Sequence, residues 1–353
     1  MPFLWDKLLR PLAFKMDAES AHERGIRALE AGLAAPFYSE ETDPILECSR
    51  FGLTFRDPLG IAAGFDKNGV VVEPLARLGF GFVEVGTVTA RPQPGNPKPR
   101  LFRLPDDNAL INRLGFNNDG ADVVAARLKL SKACVAGVNI GRNKDVANDD
   151  AVENFLEAFR AVRDVADYVT INVSSPNTPA LRELQQREHL NELLGALAAE
   201  NLESDRPKPL LVKIAPDLDD ASIESVCDLA TTHRLSGIIA TNTSTSRDGL
   251  TSDVSSIGEG GLSGRPIRRR STEVIRTIYR YSPRGLAIIG VGGIFTSEDA
   301  FEKVCAGACL VQAYTGFVYG GPGFPSRINA GLAAILRERG FSSVDEAVGS
   351  SVK

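Results

Sequence analysis

The segment Asn172-Val173-Ser174-Ser175-Pro176-Asn177 packs two hydroxyls and two amides into six residues that end in a proline turn. Each of these groups can donate or accept a hydrogen bond, so the segment is a candidate for holding a ligand. Lys213 sits inside the apolar run Leu210-Leu211-Val212-Lys213-Ile214. An ammonium that loses its hydration there needs an anionic partner or a catalytic task. It can serve as a Schiff-base amine or as a positive charge beside an electron-rich ring. Asn112, Asn172, Asn177 and Asn242 each offer a carbonyl acceptor and amide donors, which suits an imide ring with alternating N–H and C=O groups and favours the second use. Gly260-Gly261-Leu262-Ser263-Gly264 and Gly292-Gly293, with Tyr314-Thr315 before Gly316, have the make-up of a barrel phosphate site; turns alone are the other reading. No G-x-G-x-x-G follows the first strand, so the expected cofactor is mononucleotide-like and not a Rossmann dinucleotide.

The elements that must position these groups are legible as eight short apolar runs alternating with helical patterns. Strands are expected at 59–63, 82–86, 136–140, 168–173, 210–214, 237–241, 287–291 and 309–313. Helical periodicity lies between them, for example at 71–78, 154–162, 188–199, 221–231, 266–279 and 324–337. Eight such units close a (β/α)8 TIM barrel, an α/β fold whose chemistry gathers at the C-terminal ends of the strands. Those ends are polar almost throughout: Ala63-Gly64-Phe65-Asp66-Lys67-Asn68, Gly86-Thr87, Asn139 to Gly141, Asn172 to Asn177, Thr241-Asn242-Thr243 and Gln312 to Thr315. Two hairpins, at 46–55 and near 100–104, interrupt the rhythm and belong at the barrel bottom and top respectively.

The chain has 353 residues, 43% hydrophobic and 24% charged, enough for one barrel with additions. A net charge of -5 gives no basic field for nucleic acid and favours a small-molecule ligand. Five cysteines without a C-x-x-C pair argue against disulfides and zinc, and no metal site is expected. The opening residues do not read as a signal peptide or a membrane span. Residues 1–40 instead form a unit apart from the barrel domain at 41–353. Phe3, Leu4, Trp5, Leu8, Leu9, Leu12 and Phe14 recur at near-helical spacing beside Lys7, Arg10 and Lys15. A second helix is expected from Ser20 to Ala34, stopped by Pro36. Such a pair either packs on the main domain or lies on a membrane surface.

Taken in order, these segments resemble the dihydroorotate dehydrogenases, in particular the membrane-associated, quinone-reducing class of bacteria and mitochondria. The likeness covers nearly the whole chain. It rests on Ala63 to Lys67, Gly86-Thr87 with Pro92-Gln-Pro-Gly-Asn-Pro97, Asn112-Arg-Leu-Gly-Phe-Asn117 and Asn172 to Asn177, then on Lys213-Ile-Ala-Pro216, Thr241-Asn-Thr243, Gly261-Leu-Ser-Gly264 and Gly290-Val-Gly-Gly293. The resemblance implies oxidation of dihydroorotate to orotate in pyrimidine synthesis, with one FMN per chain taking the hydride and a quinone reoxidising it. It assigns FMN to Ala63, Gly64, Phe65, Asp66, Lys67, Thr87, Asn139, Asn172, Lys213, Thr241, Gly264, Gly293, Tyr314 and Thr315. It assigns orotate to Lys67, Asn112, Arg113, Leu114, Gly115, Phe116, Asn172, Asn177, Asn242 and Thr243. Ser175 is the implied base at carbon 5 while hydride leaves carbon 6 for flavin N5; the soluble classes carry cysteine there. The first forty residues become two membrane-lying helices that form a quinone tunnel, with His22, Arg103 and Tyr314 along it. A monomer on the cytoplasmic side of a bacterial inner membrane is the implied setting. With no histidine in the local motif, the proton from Ser175 is expected to pass on through water and Thr178.

Overall fold

Each of the eight apolar runs becomes one stave of a closed parallel barrel, since a run buried on both faces has no polar side to turn to water. The computed structural model describes residues 5–39, 41–130, 133–282 and 286–352. The chain opens with a π-helical turn (Trp5–Leu9), α1 (Arg10–Lys15) and α2 (Ala18–Glu30), followed by the hairpin β1 (Cys48–Arg50) and β2 (Leu53–Phe55). The staves are β3 (Leu59–Ile61), β4 (Phe82–Val88), β7 (Val135–Ile140), β8 (Tyr168–Asn172), β9 (Leu210–Ile214), β10 (Gly237–Ala240), β12 (Ala287–Val291) and β13 (Leu310–Ala313). They pair in sequence order and close β13 onto β3. The outer helices are α3 (Val72–Arg77), α4 (Ala121–Leu128), α5 (Ala151–Val162), α6 (Arg187–Leu202), α7 (Asp220–Thr232), α8 (Arg268–Tyr281), α9 (Ser297–Cys305), α10 (Thr315–Gly320) and α11 (Phe324–Glu338).

Strand alternation decides what fills the barrel. Val83, Val85, Val169 and Ile171 are fully buried apolar residues, while Phe82, Glu84, Tyr168 and Thr170 alternate with them and meet one another inside. At the N-terminal end the interior is aromatic. Phe55 of the β1–β2 hairpin packs edge-on to Phe82 at 5.3 Å, and Phe51 to Tyr168 at 5.9 Å, so this hairpin plugs the bottom as expected. Gly137 gives Tyr168 its room, because a Cβ there would overlap the Tyr168 ring.

The ribbon near residues 100–104 is three-stranded: β5 (Leu101–Leu104), β6 (Ala109–Asn112) and β11 (Gly261–Gly264) form an antiparallel sheet over the barrel top. Gly261 opens β11 opposite Asn112, and a Cβ on it would overlap Thr243. Two expectations at the N-terminus are corrected. The first helix is broken into a π turn and a short α segment, with Phe3 and Leu4 outside the described residues. The second helix runs from Ala18 to Glu30 and so ends before the expected Ala34. Gly32 takes φ +72° and Leu33 N–H returns to the Ala28 carbonyl, a left-handed cap that ends the helix, and Pro36 lies in a later 3-10 turn.

Asp57, at the barrel bottom, is 1% exposed; its carboxylate oxygens accept no hydrogen bond, and Arg56 Nε stands 3.4 Å away. Burial pushes its pKa up to about 6. A folded-state pKa above the unfolded value contributes stability that is complete below about pH 4 and is lost as pH rises through the folded pKa. Asp57→Asn is expected to raise stability by about 2 kcal/mol at pH 8 and to leave it near the parent at pH 4. Unfolding curves at the two pH values check this; an equal effect at both removes the carboxylate as the cause.

Candidate active site

The polar strand ends converge on one cavity of about 1020 Å³, counted with its open mouth, a size usual for small-ligand sites. Its floor is built on Glu84, which is fully buried in β4. Glu84 Oε1 accepts from Asn139 Nδ2 at 2.9 Å and lies 3.6 Å from Lys213 Nζ. Its Oε2 accepts from Gln312 Nε2 at 2.8 Å and from the Tyr168 hydroxyl at 3.2 Å. The apolar run of β9 thus carries its lysine because a carboxylate three strands away balances it. With its N–H2 turned to Glu84, Asn139 presents Oδ1 to Thr87 Oγ1 at 2.6 Å and to Asn172 Nδ2 at 3.1 Å. Asn172 Oδ1 in turn accepts from Ser174 N–H, Ser174 Oγ and Asn242 Nδ2. One carboxylate therefore sets the direction of a continuous amide and hydroxyl network.

Ser175 follows β8 and is 5% exposed; its Oγ accepts the Asn177 N–H at 3.2 Å. Asn177 Nδ2 donates to Asn112 Oδ1 at 3.1 Å, which joins the serine loop to the ribbon. Thr178 Oγ1 is buried without a hydrogen-bond partner. Arg182 ties the loop down, donating to the carbonyls of Ser174 and Thr243 and to Asp217. On the opposite wall Lys67 is half-buried, and desolvation pulls its pKa down to about 8 against the raising effect of Glu19. The far corner is backbone: Gly264, Gly292, Gly293, Thr315 and Gly316 line it. Gly293 has φ +72°, and a Cβ there would overlap Arg268, so only glycine lets β12 turn into this corner. The turn is fixed from below by the capping box of α9, in which Thr296 and Asp299 each satisfy the other's backbone.

Ala63, Gly64, Lys67, Thr87, Asn172, Lys213, Thr241, Gly264, Gly293, Tyr314 and Thr315 line this cavity, as do Asn112, Leu114, Gly115, Phe116, Ser175, Asn177, Asn242 and Thr243. Four of the residues assigned to FMN or orotate do not. Asn139 lies beneath it as a hydrogen-bond partner. Asp66 spends its carboxylate on the N–H groups of Asn68, Val70 and Val71, shaping the loop after β3. Phe65 packs edge-on against His22 at 5.1 Å. Arg113 stacks over Phe102 at 4.6 Å and donates to the carbonyls of Ile257 and Glu259.

A second cavity opens between α2 and the barrel top, lined by apolar residues with Arg103, His22 and Tyr314 among them. Arg103 lies over the Phe14 ring at 4.7 Å and donates to the carbonyls of Ala13 and Met16. Burial, aided by Lys67, lowers the His22 pKa to about 3, so this imidazole is neutral at physiological pH. The two cavities share Leu101, Leu110 and Tyr314 as a common wall.

The family model described as Dihydroorotate dehydrogenase matches residues 45–336. The chain belongs to the dihydroorotate dehydrogenase family. It is 52% identical over 330 residues, 93% of this chain and 90% of the relative, to the Dihydroorotate dehydrogenase (quinone) of Mycolicibacterium smegmatis. Against the protein of the same name from Gloeobacter violaceus it is 50% identical over 351 residues, 97% and 98% of the two chains. The ligand-free DHODH structure from Eimeria tenella superposes with a TM-score of 0.90 at 41% identity, covering 96% of this chain and 100% of that one. The ferulenol complex of the Eimeria enzyme gives 0.89 over 94% and 95%.

Within this dihydroorotate dehydrogenase barrel, sequence reasoning passed over Glu84 and gave Gln312 and Ser263 no role. Glu84 carried the same signal as Lys213, a charge inside an apolar strand, Phe82-Val83-Glu84-Val85. The Arg182 clamp is testable. Arg182→Met is expected to cost about 1–2 kcal/mol, since its guanidinium is partly exposed and two loop carbonyls lose a charged donor. Thermal unfolding measures the cost; an unchanged midpoint shows the loops hold without it.

Proposed function

We propose that the chain oxidises (S)-dihydroorotate to orotate at the barrel mouth, with one FMN as cofactor and a membrane quinone as electron acceptor, in pyrimidine biosynthesis. The relatives named Dihydroorotate dehydrogenase (quinone) support this, and one observation in the structure carries it: a polar site and an apolar cavity meet at Leu101, Leu110 and Tyr314. A charged substrate and an apolar acceptor then reach a common centre from separate sides.

The lining fits FMN. Gln312 Oε1 and Thr243 Oγ1 are buried without partners, so the cavity presents polar atoms that the protein leaves unpaired. The flavin would rest against Ala63, Gly64, Thr87, Asn172, Lys213 and Thr241, with Gly264, Gly293, Tyr314 and Thr315 at its phosphate. Asn139, Asp66 and Phe65 support that binding from outside the cavity. Bound FMN supplies the acceptor for the hydride that leaves carbon 6. Asn112, Asn177, Asn242 and Thr243 hold the pyrimidine imide, and Leu114, Gly115 and Phe116 close over it. Arg113 braces that segment from behind. Lys67 faces the substrate carboxylate. Ser175 takes the proton from carbon 5, and Thr178 is the next group to receive it through water. Lys213 Nζ stands 3.6 Å from the Glu84 carboxylate, a placement that suits a fixed counter-charge better than a Schiff-base amine.

Residues 1–40 act as the quinone-docking extension of the barrel domain at 41–353. Leu8, Leu12 and Leu33 are more than half exposed beside Lys7 and Arg10, a make-up suited to a membrane surface. No described helix is long and apolar enough to cross a membrane. His22, Arg103 and Tyr314 line the quinone's path. A monomer resting on the cytoplasmic face of the inner membrane completes the reading.

The purified protein is expected to be yellow and to lose its flavin absorbance with anaerobic dihydroorotate. Ser175→Ala should slow that bleaching by about a hundredfold or more while FMN content stays at the parent level. Bleaching at the native rate moves the base elsewhere. Gly25 lies on the face of α2 that lines the apolar cavity, and a Cβ there has nothing within 4 Å. Gly25→Leu should therefore impair reoxidation by a long-chain quinone and spare flavin reduction; unchanged quinone turnover refutes the proposed route.

A further inference from the structure

Glu84 is buried to 0% exposure in the barrel interior, and five side-chain donors converge on it from four other strands. Besides Asn139, Lys213, Gln312 and Tyr168, Thr170 Oγ1 lies 3.5 Å from Oε2. A buried ion pair is often no more stable than well-packed apolar residues in its place, so stability alone is a weak reason for a carboxylate here. Its geometry offers a better one. Gln312 gives its N–H2 to Glu84, which leaves Oε1 as the atom without a partner in a residue that lines the cavity. Lys213 lines the same cavity and has Glu84 as its counter-charge. The carboxylate touches neither cofactor nor substrate space, yet it fixes what two lining residues present there.

We infer that Glu84 is a positioning residue for the redox step: it balances Lys213 and turns the Gln312 carbonyl to the cavity, and so sets the reduction potential of the flavin. This rests on the proposed FMN site. Reduction adds negative charge to the ring system, and in a low-dielectric interior a fixed carboxylate nearby opposes it. Glu84 thereby moderates the stabilisation that Lys213 gives the reduced form. Tyr168 acts in the opposite sense, since its hydroxyl donor offsets part of the Glu84 charge.

The test is the midpoint potential of the bound flavin, measured by equilibration with reference dyes in the full-length holoprotein. Glu84→Gln is expected to favour the reduced form by about tenfold, a potential about 30 mV more positive. Tyr168→Phe keeps the ring that fills the barrel and removes only the donor; it should shift the equilibrium about threefold the other way. Opposite signs in the two variants support the inference. Native potentials in both, with flavin retained and only thermal stability lowered, overturn it and leave Glu84 a structural residue. Should Glu84→Gln fail to fold, Tyr168→Phe decides alone, and an unmoved potential there is equally fatal. A parent protein that binds no FMN refutes the underlying reading instead, which keeps the two failures apart.

Discussion

Burying a carboxylate costs several kcal/mol unless donors surround it, and Glu84 meets that demand only when β7, β8, β9 and β13 are all in place. Barrel closure and site assembly are therefore one event. Open the barrel between any two of these strands and a charge is stranded in apolar surroundings. Close it, and the carboxylate aligns Asn139, then Thr87 and Asn172, and through Asn172 the hydroxyl of Ser174 and the amide of Asn242. The polarity of the cavity floor is inherited from one buried charge.

The barrel separates its tasks along its axis. At the bottom, Phe51, Phe55, Phe82 and Tyr168 fill the interior with rings, and glycine at 137 admits the largest of them. Halfway up, the Tyr168 hydroxyl converts that apolar plug into the first donor for Glu84. Above it the cavity floor is amide, hydroxyl and ammonium, while Leu114, Phe116 and Ile267 are among its walls. The same alternation of side chains that hides Val83 and Val85 under the helices delivers Glu84 to the centre.

Much of this was legible beforehand, for physical reasons that differ by residue. All eight staves were readable because parallel strands buried on both faces stand out as short apolar runs. Ser175, Lys213 and the asparagines were readable because polar groups at strand ends have few structural excuses. Glu84 was not read, since a single acid between valines looks like a break in the pattern until its partners from distant strands are known. Arg113 sits among residues that line the cavity, yet its side chain is claimed by Phe102 and two carbonyls that no local spacing reveals. Glycine is ambiguous in the same way: Gly293 opens a corner of the cavity, whereas Gly261 makes room for Thr243 within a strand pair. The end of α2 was misplaced because Gly32, in the left-handed region, stops the helix before Pro36 can.

Arg100 has a reach that its burial conceals. Its guanidinium holds Glu19 of α2 at 2.7 Å and the carbonyls of Pro94 and Asn96, while Asn96 Nδ2 donates to the Asn177 carbonyl, two residues beyond Ser175. The helical cap and the serine loop are thus joined by three consecutive contacts, with a buried ion pair as the stiffest of them. Such a linkage works like a strut in a frame. A load applied to the cap, by whatever surface α1 and α2 rest on, is carried inward to the loop that holds the Ser175 hydroxyl, and a change in that loop is carried outward by the same members.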